Sequence, residues 1–259
     1  MKIATFNING IKARAEALPA WLRAAEADVV LLQEIKSTDE AFPQEVLDGT
    51  GYTVHTHGQK GFNGVAILSR LPLEDVRRGL PGDESDDQAR WIEATVIGTR
   101  AVRVCGLYLP NGNPAPGPKY DYKLAWMARM QARVETLLKT EEPLVFAGDY
   151  NVIPQDEDAA KPESWRADAL ALPESRAAFR RLLHLGLTDA FRARVPGPGQ
   201  YSFWDYQAGA WQKNNGIRID HLLLSPQAAD LLRDAGIDKE VRAGEKPSDH
   251  VPVWIELDA

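Results

Sequence analysis

Four short segments of this chain end in acidic or amide side chains, although they lie far apart along the sequence. Their terminal groups are Glu34, Asp149 with Asn151, Asp220, and Asp249 with His250. A buried carboxylate without a partner is costly, so a chain with several such strand ends must bring them to water, to cations or to one another. The pattern predicts that folding gathers the four ends around a divalent metal ion, beside a catalytic histidine.

Length and composition place few other limits on the chain. It has 259 residues, of which 44% are apolar and 26% charged, as in ordinary globular proteins. A chain of this length buries roughly 70–75% of its unfolded surface, so it needs no disulfide or structural metal to fold. Cys105 is the only cysteine, which excludes an intrachain disulfide and a cysteine-rich zinc site. The net charge of -7 disfavours a general nucleic-acid binder, although bound metal would offset clustered carboxylates.

The sequence gives no sign of a membrane protein. No segment approaches the roughly 18 apolar residues needed to cross a bilayer. The first predicted strand begins at Lys2, which leaves no room for a leader segment. We therefore expect a protein of the cytoplasm with no membrane partner, and we expect a monomer.

Apolar runs and helical spacing predict an alternation of strands and helices. The predicted strands are residues 2–8, 28–33, 64–69, 91–97, 101–109, 143–147, 217–225 and 251–257. The predicted helices are residues 18–25, 120–138, 176–185 and 227–234. No linker divides the chain, so we expect one α/β domain over residues 1–259, with two sheets and flanking helices. Residues 27–34 and 142–149 resemble each other weakly, which is compatible with a duplicated half.

The acidic and amide groups suit phosphodiester hydrolysis. Enzymes lower such barriers by roughly 8–23 kcal/mol, and a single general base supplies only about 3–5 kcal/mol of this. Mg²⁺ supplies electrostatic stabilisation and prefers oxygen ligands. The candidate oxygen ligands are Glu34, Asp149, Asp249, Asn7, Asn9 and Asn151. No histidine-rich or thiolate set favours zinc. The residues therefore predict a metal-dependent phosphodiesterase, in particular a nuclease.

Each motif alone also has a purely structural interpretation. Asp149 could bond its own backbone in a turn, and the Asp249–His250 pair could cap a strand. Glu34 could simply pair with Lys36, and Tyr108 could be a ring at the edge of the core. Asp220 lies in an apolar strand and needs a buried partner, for which a histidine is the natural choice.

These motifs occur together, and in the order of a known family. The segments are 5–10 (TFNING), 32–36 (LQEIK), 58–66 (GQKGFNGVA), 108–112 (YLPNG), 148–151 (GDYN), 202–206 (SFWDY), 216–220 (GIRID) and 246–250 (KPSDH). Over essentially the whole chain they resemble the exonuclease III and AP endonuclease group of the endonuclease/exonuclease/phosphatase superfamily. The last segment is shared across the superfamily, whereas residues 202–206 and 216–220 resemble the DNA-repair branch in particular.

The resemblance implies a fold, a four-layer α/β/β/α sandwich in which two packed mixed β-sheets are flanked by helices. It also implies a metal site in which Glu34 binds the ion. Asn7, Asp149, Asn151 and Asp249 are further possible metal ligands in this site. Asn9 and Lys36 lie beside this metal site as supporting groups. Asn9 is also a possible ligand of the ion. Asn9 stands where some relatives carry an aspartate.

The same resemblance implies catalytic roles. Asp149 orients or deprotonates the attacking water, helped by Asn151. His250, held by Asp220, contacts the scissile phosphate and stabilises its developing charge. Tyr108 and Asn111 also reach that phosphate or the leaving group.

DNA contacts are implied for aromatic and basic residues, chiefly through phosphates. Phe203 matches a ring that lines the pocket for a base-less sugar, and Trp204 follows it. The basic candidates are Arg90, Lys119, Lys123, Lys213 and Arg218. For each aromatic the alternative is core packing, and for each cation it is a solvated surface charge.

The implied activity is Mg²⁺-dependent DNA repair, with Mn²⁺ as a possible substitute. The enzyme would hydrolyse the phosphodiester 5′ to an abasic site in duplex DNA, with 3′-to-5′ exonuclease and 3′-phosphatase activity at 3′ ends. One alternative is a phosphatase of the superfamily that acts on a lipid or inositol phosphate. The other is a catalytically silent DNA-binding protein, against which the full acidic set argues.

Overall fold

Twelve strands form two six-stranded sheets in the computed structural model, which describes residues 1–259. The first sheet contains β1 (Lys2–Asn7), β2 (Val29–Gln33), β3 (Thr53–His57), β4 (Val65–Ser69), β11 (Leu232–Ile237) and β12 (Val253–Leu257). The second contains β5 (Leu73–Arg78), β6 (Trp91–Ile97), β7 (Ala101–Tyr108), β8 (Leu144–Asp149), β9 (Thr188–Asp189) and β10 (Asp220–Leu224). Each strand except the edge strands β3, β5, β9 and β11 is mostly buried.

The two sheets repeat one pattern of strand pairing. The order is β11-β12-β1-β2-β4-β3 in the first sheet and β5-β6-β7-β8-β10-β9 in the second. In each sheet only the central pair, β1 with β2 and β7 with β8, is parallel, and all other pairs are antiparallel. The weakly similar segments 27–34 and 142–149 contain the equivalent strands β2 and β8, so the topology fits a duplicated half.

Alternation of side chains across the strands builds three apolar layers. Ile3 and Leu31 of the first sheet face Val104 and Leu222 of the second in the central core. The outer face of the first sheet packs on α1 (Ala17–Ala25). The outer face of the second packs on α2 (Pro118–Leu138) and α3 (Pro173–His184). The predicted four-layer α/β/β/α sandwich is therefore confirmed.

Short helices complete the connections. They are α4 (Ala190–Arg194), α5 (Pro226–Ala229) and the 3₁₀ helices Lys12–Arg14, Gln44–Leu47, Asp156–Asp158, Pro162–Trp165 and Lys239–Ala243. Helix α2, the longest, begins with Pro118 after Gly117, which matches the preference of proline for a first helical turn. None of the helices combines the length and the apolar character that a bilayer-spanning segment needs.

Two predicted elements near the C-terminus are wrong in part. The predicted helix 227–234 ends at Ala229, and strand β11 follows it. Gly236 of β11 lies directly against the Trp254 indole, where an added Cβ would be 2.4 Å from the ring, so this segment is fixed by tertiary packing. The predicted strand 217–225 begins only at Asp220, because Ile217 pairs instead with Phe203 and Ala159.

Candidate active site

The parallel central strands bring the predicted site residues to one rim of the sandwich. The carboxyl ends of β1 and β2 lie side by side in the first sheet, and Asp149 ends β8 in the second. The Asn7 side chain, at the end of β1, joins the two sheets. Its Nδ2 donates to Glu34 Oε1 at 2.9 Å and to Asp149 Oδ2 at 3.0 Å. Two residues that are 115 positions apart in sequence thus share one buried amide.

The loops that leave these strands have unusual backbone conformations. Asn9, Glu34, Lys36 and Asn151 have φ values of 47°, 51°, 52° and 46°. The left-handed region is uncommon for non-glycine residues and costly for glutamate and lysine. These four residues, among eleven non-glycine residues with positive φ in the chain, lie at the same rim.

Asp220, His250 and Asp149 form a buried chain of titratable groups. Asp220 lies opposite Asp149 in the register of β10 and β8. Its Oδ2 is 2.8 Å from His250 Nδ1, and His250 Nε2 is 3.6 Å from Asp149 Oδ2. All three side chains are nearly inaccessible. The prediction that Asp220 has a histidine as its buried partner is confirmed.

The electrostatics of this chain favour a charged histidine. Burial alone would lower the pKa of His250, but the carboxylates of Asp220 and Asp149 outweigh it and raise this pKa to about 10. Burial raises the pKa of Asp149, and Asp220 adds to the rise, whereas the charge of His250 opposes it. The imidazolium and the Asp149 carboxyl are thus tightly coupled, and Asp149 holds a proton far more readily than an exposed aspartate.

Glu34 is surrounded by donors. Tyr108 donates its hydroxyl to Glu34 Oε1 at 2.9 Å, and Lys36 Nζ lies 3.0 Å from Oε2. Burial pushes the pKa of Glu34 upward, but the Asn7 hydrogen bond and the Lys36 charge outweigh it, so the pKa lies below its ordinary value. Burial, with Glu34 and Asp149 nearby, raises the pKa of Tyr108 well above its ordinary value, so its hydroxyl remains a donor.

Asp249 joins the same rim through amides and a serine. Asn9 Nδ2 lies 3.2 Å from Asp249 Oδ1, and Lys36 Nζ donates to Asn9 Oδ1 at 2.5 Å. Asn9 is therefore a bridge between Lys36 and Asp249. Ser248 donates its hydroxyl to the Asn7 carbonyl at 2.7 Å, which fixes the Asp249 segment beside β1.

Asn151 and Asn111 extend the rim beyond Asp149. The Asn151 backbone N–H donates to Asp149 Oδ1 at 2.9 Å, and Asn111 Nδ2 donates to Asn151 Oδ1 at 3.2 Å. Asn111 is exposed, and only one of its two amide N–H groups has a partner within the protein. This leaves a donor at the rim that could reach a bound anion.

Several predicted DNA-contacting residues lie at this rim. The half-buried Phe203 ring packs edge-to-face on His250, with a centroid separation of 5.0 Å. The Arg90 guanidinium covers the Tyr108 ring at 4.8 Å. Arg90, Asn111 and the exposed Lys119 line one groove of about 530 Å³. Lys213 is exposed in a different loop, where its Nζ donates to the Ala208 carbonyl.

Three of the predicted DNA contacts are wrong, because the side chains are buried. Trp204 packs in a small core with Tyr201 and Val251. Arg218 pairs with Asp158 at 2.7 Å and with Asp189 at 2.9 Å, inside the protein. Asp158, in the acidic segment 156–158, thus belongs to a buried ion pair.

Lys123 is the third of these residues. It is fully buried on α2, and its Nζ donates to three backbone carbonyl groups. Burial lowers the pKa of Lys123 to about 7.

Two serines escaped the sequence prediction, although both lie within the quoted motifs. The Ser202 hydroxyl donates a hydrogen bond to Asp220 Oδ2 at 2.6 Å. Its oxygen accepts hydrogen bonds from the backbone N–H groups of Ile219 and Asp220. It therefore fixes Asp220 for His250, just as Ser248 fixes the segment of Asp249. The available signal was that each serine directly precedes a predicted site residue, Phe203 or Asp249. A serine by itself, however, predicts no role.

The donor set fits a divalent metal. Glu34, Asp149 and Asp249 are hard oxygen donors, the kind of ligand that divalent cations such as Mg²⁺ prefer. Asp149, Asp220 and His250 also present ligand atoms within 4.8 Å of one another. However, Asp220 Oδ2 already accepts from both Ser202 and His250, which favours proton and phosphate chemistry for that group.

Fold and site together define a class of hydrolase. Residues 4–250 match the Endonuclease/Exonuclease/phosphatase family, and the chain belongs to this family. The chain is therefore a metal-dependent enzyme that hydrolyses phosphoesters, as predicted.

Individual relatives cover the whole chain. It is 40% identical to the exodeoxyribonuclease III of Haemophilus influenzae, over 99% of this chain and 100% of that protein. It superposes on a 3′-5′ exonuclease (NExo) from Neisseria meningitidis with a TM-score of 0.95 and 40% identity. The TM-score for an AP endonuclease from Archaeoglobus fulgidus is 0.94, at 34% identity. Both superpositions cover 100% of each chain.

Proposed function

We propose that the protein is a DNA-repair nuclease that hydrolyses the phosphodiester 5′ to abasic sites in duplex DNA. The observation that carries this proposal is the buried Asp220–His250–Asp149 chain beside Asn151, whose partner Asn111 lines a groove with basic side chains. We further propose 3′-to-5′ exonuclease and 3′-phosphatase activities at the same site. The names of the relatives, an exodeoxyribonuclease III, a 3′-5′ exonuclease and an AP endonuclease, support the exonuclease and AP endonuclease activities.

The surroundings of His250 support an abasic sugar as the specific ligand. Phe203 packs an apolar ring on the imidazole, so a ligand at His250 would also meet an apolar surface. A nucleotide that lacks its base costs less to extrude from the duplex than an intact one. Arg90 and Lys119 would meet the phosphates that flank it along the groove.

Mg²⁺ is the proposed metal, and Mn²⁺ would serve in its place. Glu34 and Asp249 would hold the ion, with Asp149, Asn7 and Asn151 as further oxygen donors. These groups are carboxylates and amides, the ligands that Mg²⁺ prefers. When bound, the ion supplies Lewis-acid stabilisation of negative charge on phosphate oxygens.

The protein groups account for proton transfer and orientation. Asp149 accepts a proton from the attacking water, a role that suits a carboxylate with a raised pKa. The Asn7 amide and the Asn151 backbone N–H hold this carboxylate in one orientation. The His250 imidazolium, fixed by Asp220, donates from Nε2 to a phosphate oxygen as charge develops. Asn111 supplies a further donor at the rim, and the Tyr108 hydroxyl holds Glu34.

Three broader proposals accompany this function. Residues 1–259 form one domain, since both sheets contribute side chains to a common core. The protein acts as a monomer on its DNA. It works in the cytoplasm, where a single buried Cys105 stays reduced.

A labelled duplex with one central abasic site tests the proposed function. We expect incision 5′ to the site with Mg²⁺ and none with excess chelator, while the undamaged duplex remains intact at early times. Asp149→Asn should abolish incision. Asp230→Asn, an exposed aspartate beyond the opposite end of β10, is the matched control and should cleave normally. Absence of incision with both Mg²⁺ and Mn²⁺ would contradict the proposal and direct attention to a non-DNA phosphoester.

A further inference from the structure

Lys123 is a fully buried lysine without an anionic partner. It lies on the inner face of α2 between Tyr120 and Trp126, its exposed fraction is 0%, and it forms no salt bridge. Lysine is almost never fully buried unless it is paired. The other buried residues of this helix face are mostly apolar, so packing alone would favour an apolar side chain here. The position therefore calls for an explanation other than core packing.

Three carbonyl oxygens surround the ammonium group. Nζ donates to Asn111 O at 3.0 Å, to Asn151 O at 2.6 Å and to Ala169 O at 3.3 Å. An ammonium group has three N–H donors, so this arrangement satisfies all of them. Asn111 follows β7 and Asn151 follows β8, and their side chains are hydrogen-bonded to each other at the rim. One cation thus holds the backbone beneath both amides.

We propose that Lys123 is a positioning residue for the reaction, because it fixes the Asn111 and Asn151 backbones so that the Asn111 amide faces the scissile phosphate and the Asn151 N–H orients Asp149. The inference rests on the proposed function for the reaction itself, but the contacts are independent of it. Lys123 touches neither substrate nor metal. It acts through the two loops, and the loops act through Asn111, Asn151 and the Asn151 N–H that orients Asp149.

The backbone on both sides of Lys123 supports this role. Gly112, next to Asn111, has φ +90°, and an added Cβ would lie 2.7 Å from Lys123 Cδ. The loop is thus packed directly on the lysine stem. Asn151 has a left-handed φ of 46°, a conformation that is uncommon for residues with a side chain, although asparagine adopts it more readily than most. Its carbonyl receives the shortest of the three Lys123 bonds, so Lys123 directly holds the residue at which the chain turns.

Ser175 offers a matched control on the same cluster. Its hydroxyl donates to Ala169 O at 2.6 Å, so it shares one acceptor with Lys123. However, it makes no bond to the Asn111 or Asn151 backbone. Removing this hydroxyl weakens the buried structure near α2 and α3 but leaves the two site loops attached. Loss of stability and loss of positioning can therefore be separated.

Steady-state kinetics on the abasic duplex test the proposal. Lys123→Met keeps the stem and removes the donors, and we expect kcat to fall by about 10- to 100-fold with KM changed by less than about 3-fold. Ser175→Ala should lower Tm by about 2–4 °C and leave kcat within about 2-fold of the parent. If Lys123→Met does not fold, Lys123→Gln, which keeps two N–H donors, should show the same split with a smaller loss. Normal kcat in the folded Lys123 variant would overturn the proposal, as would an equal loss in Ser175→Ala.

NMR of the asparagine side-chain amides supplies a readout that does not need activity. In the metal-free protein, Lys123→Met should shift the amide signals of Asn111 and Asn151, whereas Ser175→Ala should leave both in place. Unchanged signals in Lys123→Met would overturn the positioning role. If the parent enzyme does not cleave the duplex, the proposed function fails, yet these amide signals still decide whether Lys123 orients the two loops.

Discussion

His250 and His221 are both buried, yet their surroundings drive their pKa values in opposite directions. His250 contacts Asp220, the first residue of β10. His221 follows Asp220 in the same strand, so the His221 side chain points to the other face of the sheet. His250 faces the carboxylates of Asp220 and Asp149, which raise its pKa to about 10. Burial, together with the charge of Arg218, lowers the pKa of His221 to about 4.

The hydrogen bonds of the two rings agree with these charge states. His221 Nε2 lies 3.0 Å from the Val152 carbonyl, so this nitrogen carries the proton. Its Nδ1 then accepts from Arg218 Nη1 at 3.1 Å, which requires a neutral ring. His250 Nδ1 instead faces an acceptor, and its Nε2 points toward a second carboxylate. His250, beside Asp220, is a charged group at the site, on what we call the active face of β10. His221 is a structural partner of Arg218, on the opposite or structural face.

The comparison teaches that burial alone does not decide the role of a titratable group. Both rings lose hydration to a similar degree, since their exposed fractions are 4% and 0%. The charges on the facing residues decide which form is stable, because Coulomb interactions are strong away from water. Each substitution below removes one of these facing charges or one of the rings.

The largest effect is expected from the charged ring itself. His250→Asn removes the imidazolium that faces the phosphate, and we expect incision of the abasic duplex to fall by about 10³-fold or more. The corresponding change on the other face, His221→Asn, should retain most activity in the folded fraction. Single-turnover kinetics at neutral pH measure both, and circular dichroism confirms folding. Comparable losses in the two variants would show that the two faces do not differ in function.

Arg218→Met tests the structural face. The substitution leaves Asp158 and Asp189 buried without their main partner, so we expect the free energy of unfolding to fall by about 3–5 kcal/mol. Urea unfolding measures this loss. The affinity of the folded variant for duplex DNA should equal that of the parent, whereas Lys119→Met should weaken it. Weakened DNA binding by folded Arg218→Met would restore this residue as a DNA contact.

Asp220→Asn removes the negative charge beside His250 but leaves the His250 ring in place. The variant loses the carboxylate that raises the pKa of His250, so we expect kcat to fall by about 100-fold at neutral pH. The pKa of His250 should also fall. A pH titration of the His250 ring signals measures this shift, with Ser202→Ala as a milder change at the same carboxylate. An unchanged His250 pKa in Asp220→Asn would contradict the assigned cause.

The smallest effect concerns stability against pH. A histidine whose folded pKa lies below its unfolded value destabilises the fold as pH falls from that unfolded value, near 6.5, through about 4. His221 should therefore remove about 2 kcal/mol of stability between pH 7 and pH 5. His250 acts oppositely, since its raised pKa gives stability below pH 6.5 that is lost as pH rises toward about 10.

Unfolding free energies at pH 5, 7 and 9 test both signs. His221→Gln should flatten the acid side of the profile, and His250→Asn should flatten the alkaline side. His184→Gln, an exposed residue at the end of α3, is the control and should leave the profile unchanged. A steeper acid side in His221→Gln would reverse the assigned sign.

The sequence anticipated the active face better than the structural one. Asp149, Asp220 and His250 end or precede apolar runs, and such charges in apolar surroundings predict a common site. Arg218 and Asp158 gave no such signal, because an arginine and an acidic turn are ordinary surface features until tertiary contacts bury them. Trp204 was ambiguous for the same reason, since an aromatic residue beside a motif suits either a core or a ligand. The edge strands β3, β5 and β11 were missed or misassigned because half-exposed strands carry only a weak apolar pattern.

The ¹⁵N spectrum of the histidine rings tests the central claim most directly. The protein has five histidines, and the His250→Asn and His221→Asn variants assign the two signals of interest. At pH 7, in metal-free protein, we predict a doubly protonated His250 and a neutral His221 that carries its proton on Nε2. Titration should show His250 losing its proton only well above neutral pH and His221 gaining one only near pH 4. A neutral His250 or a charged His221 at pH 7 would contradict the account.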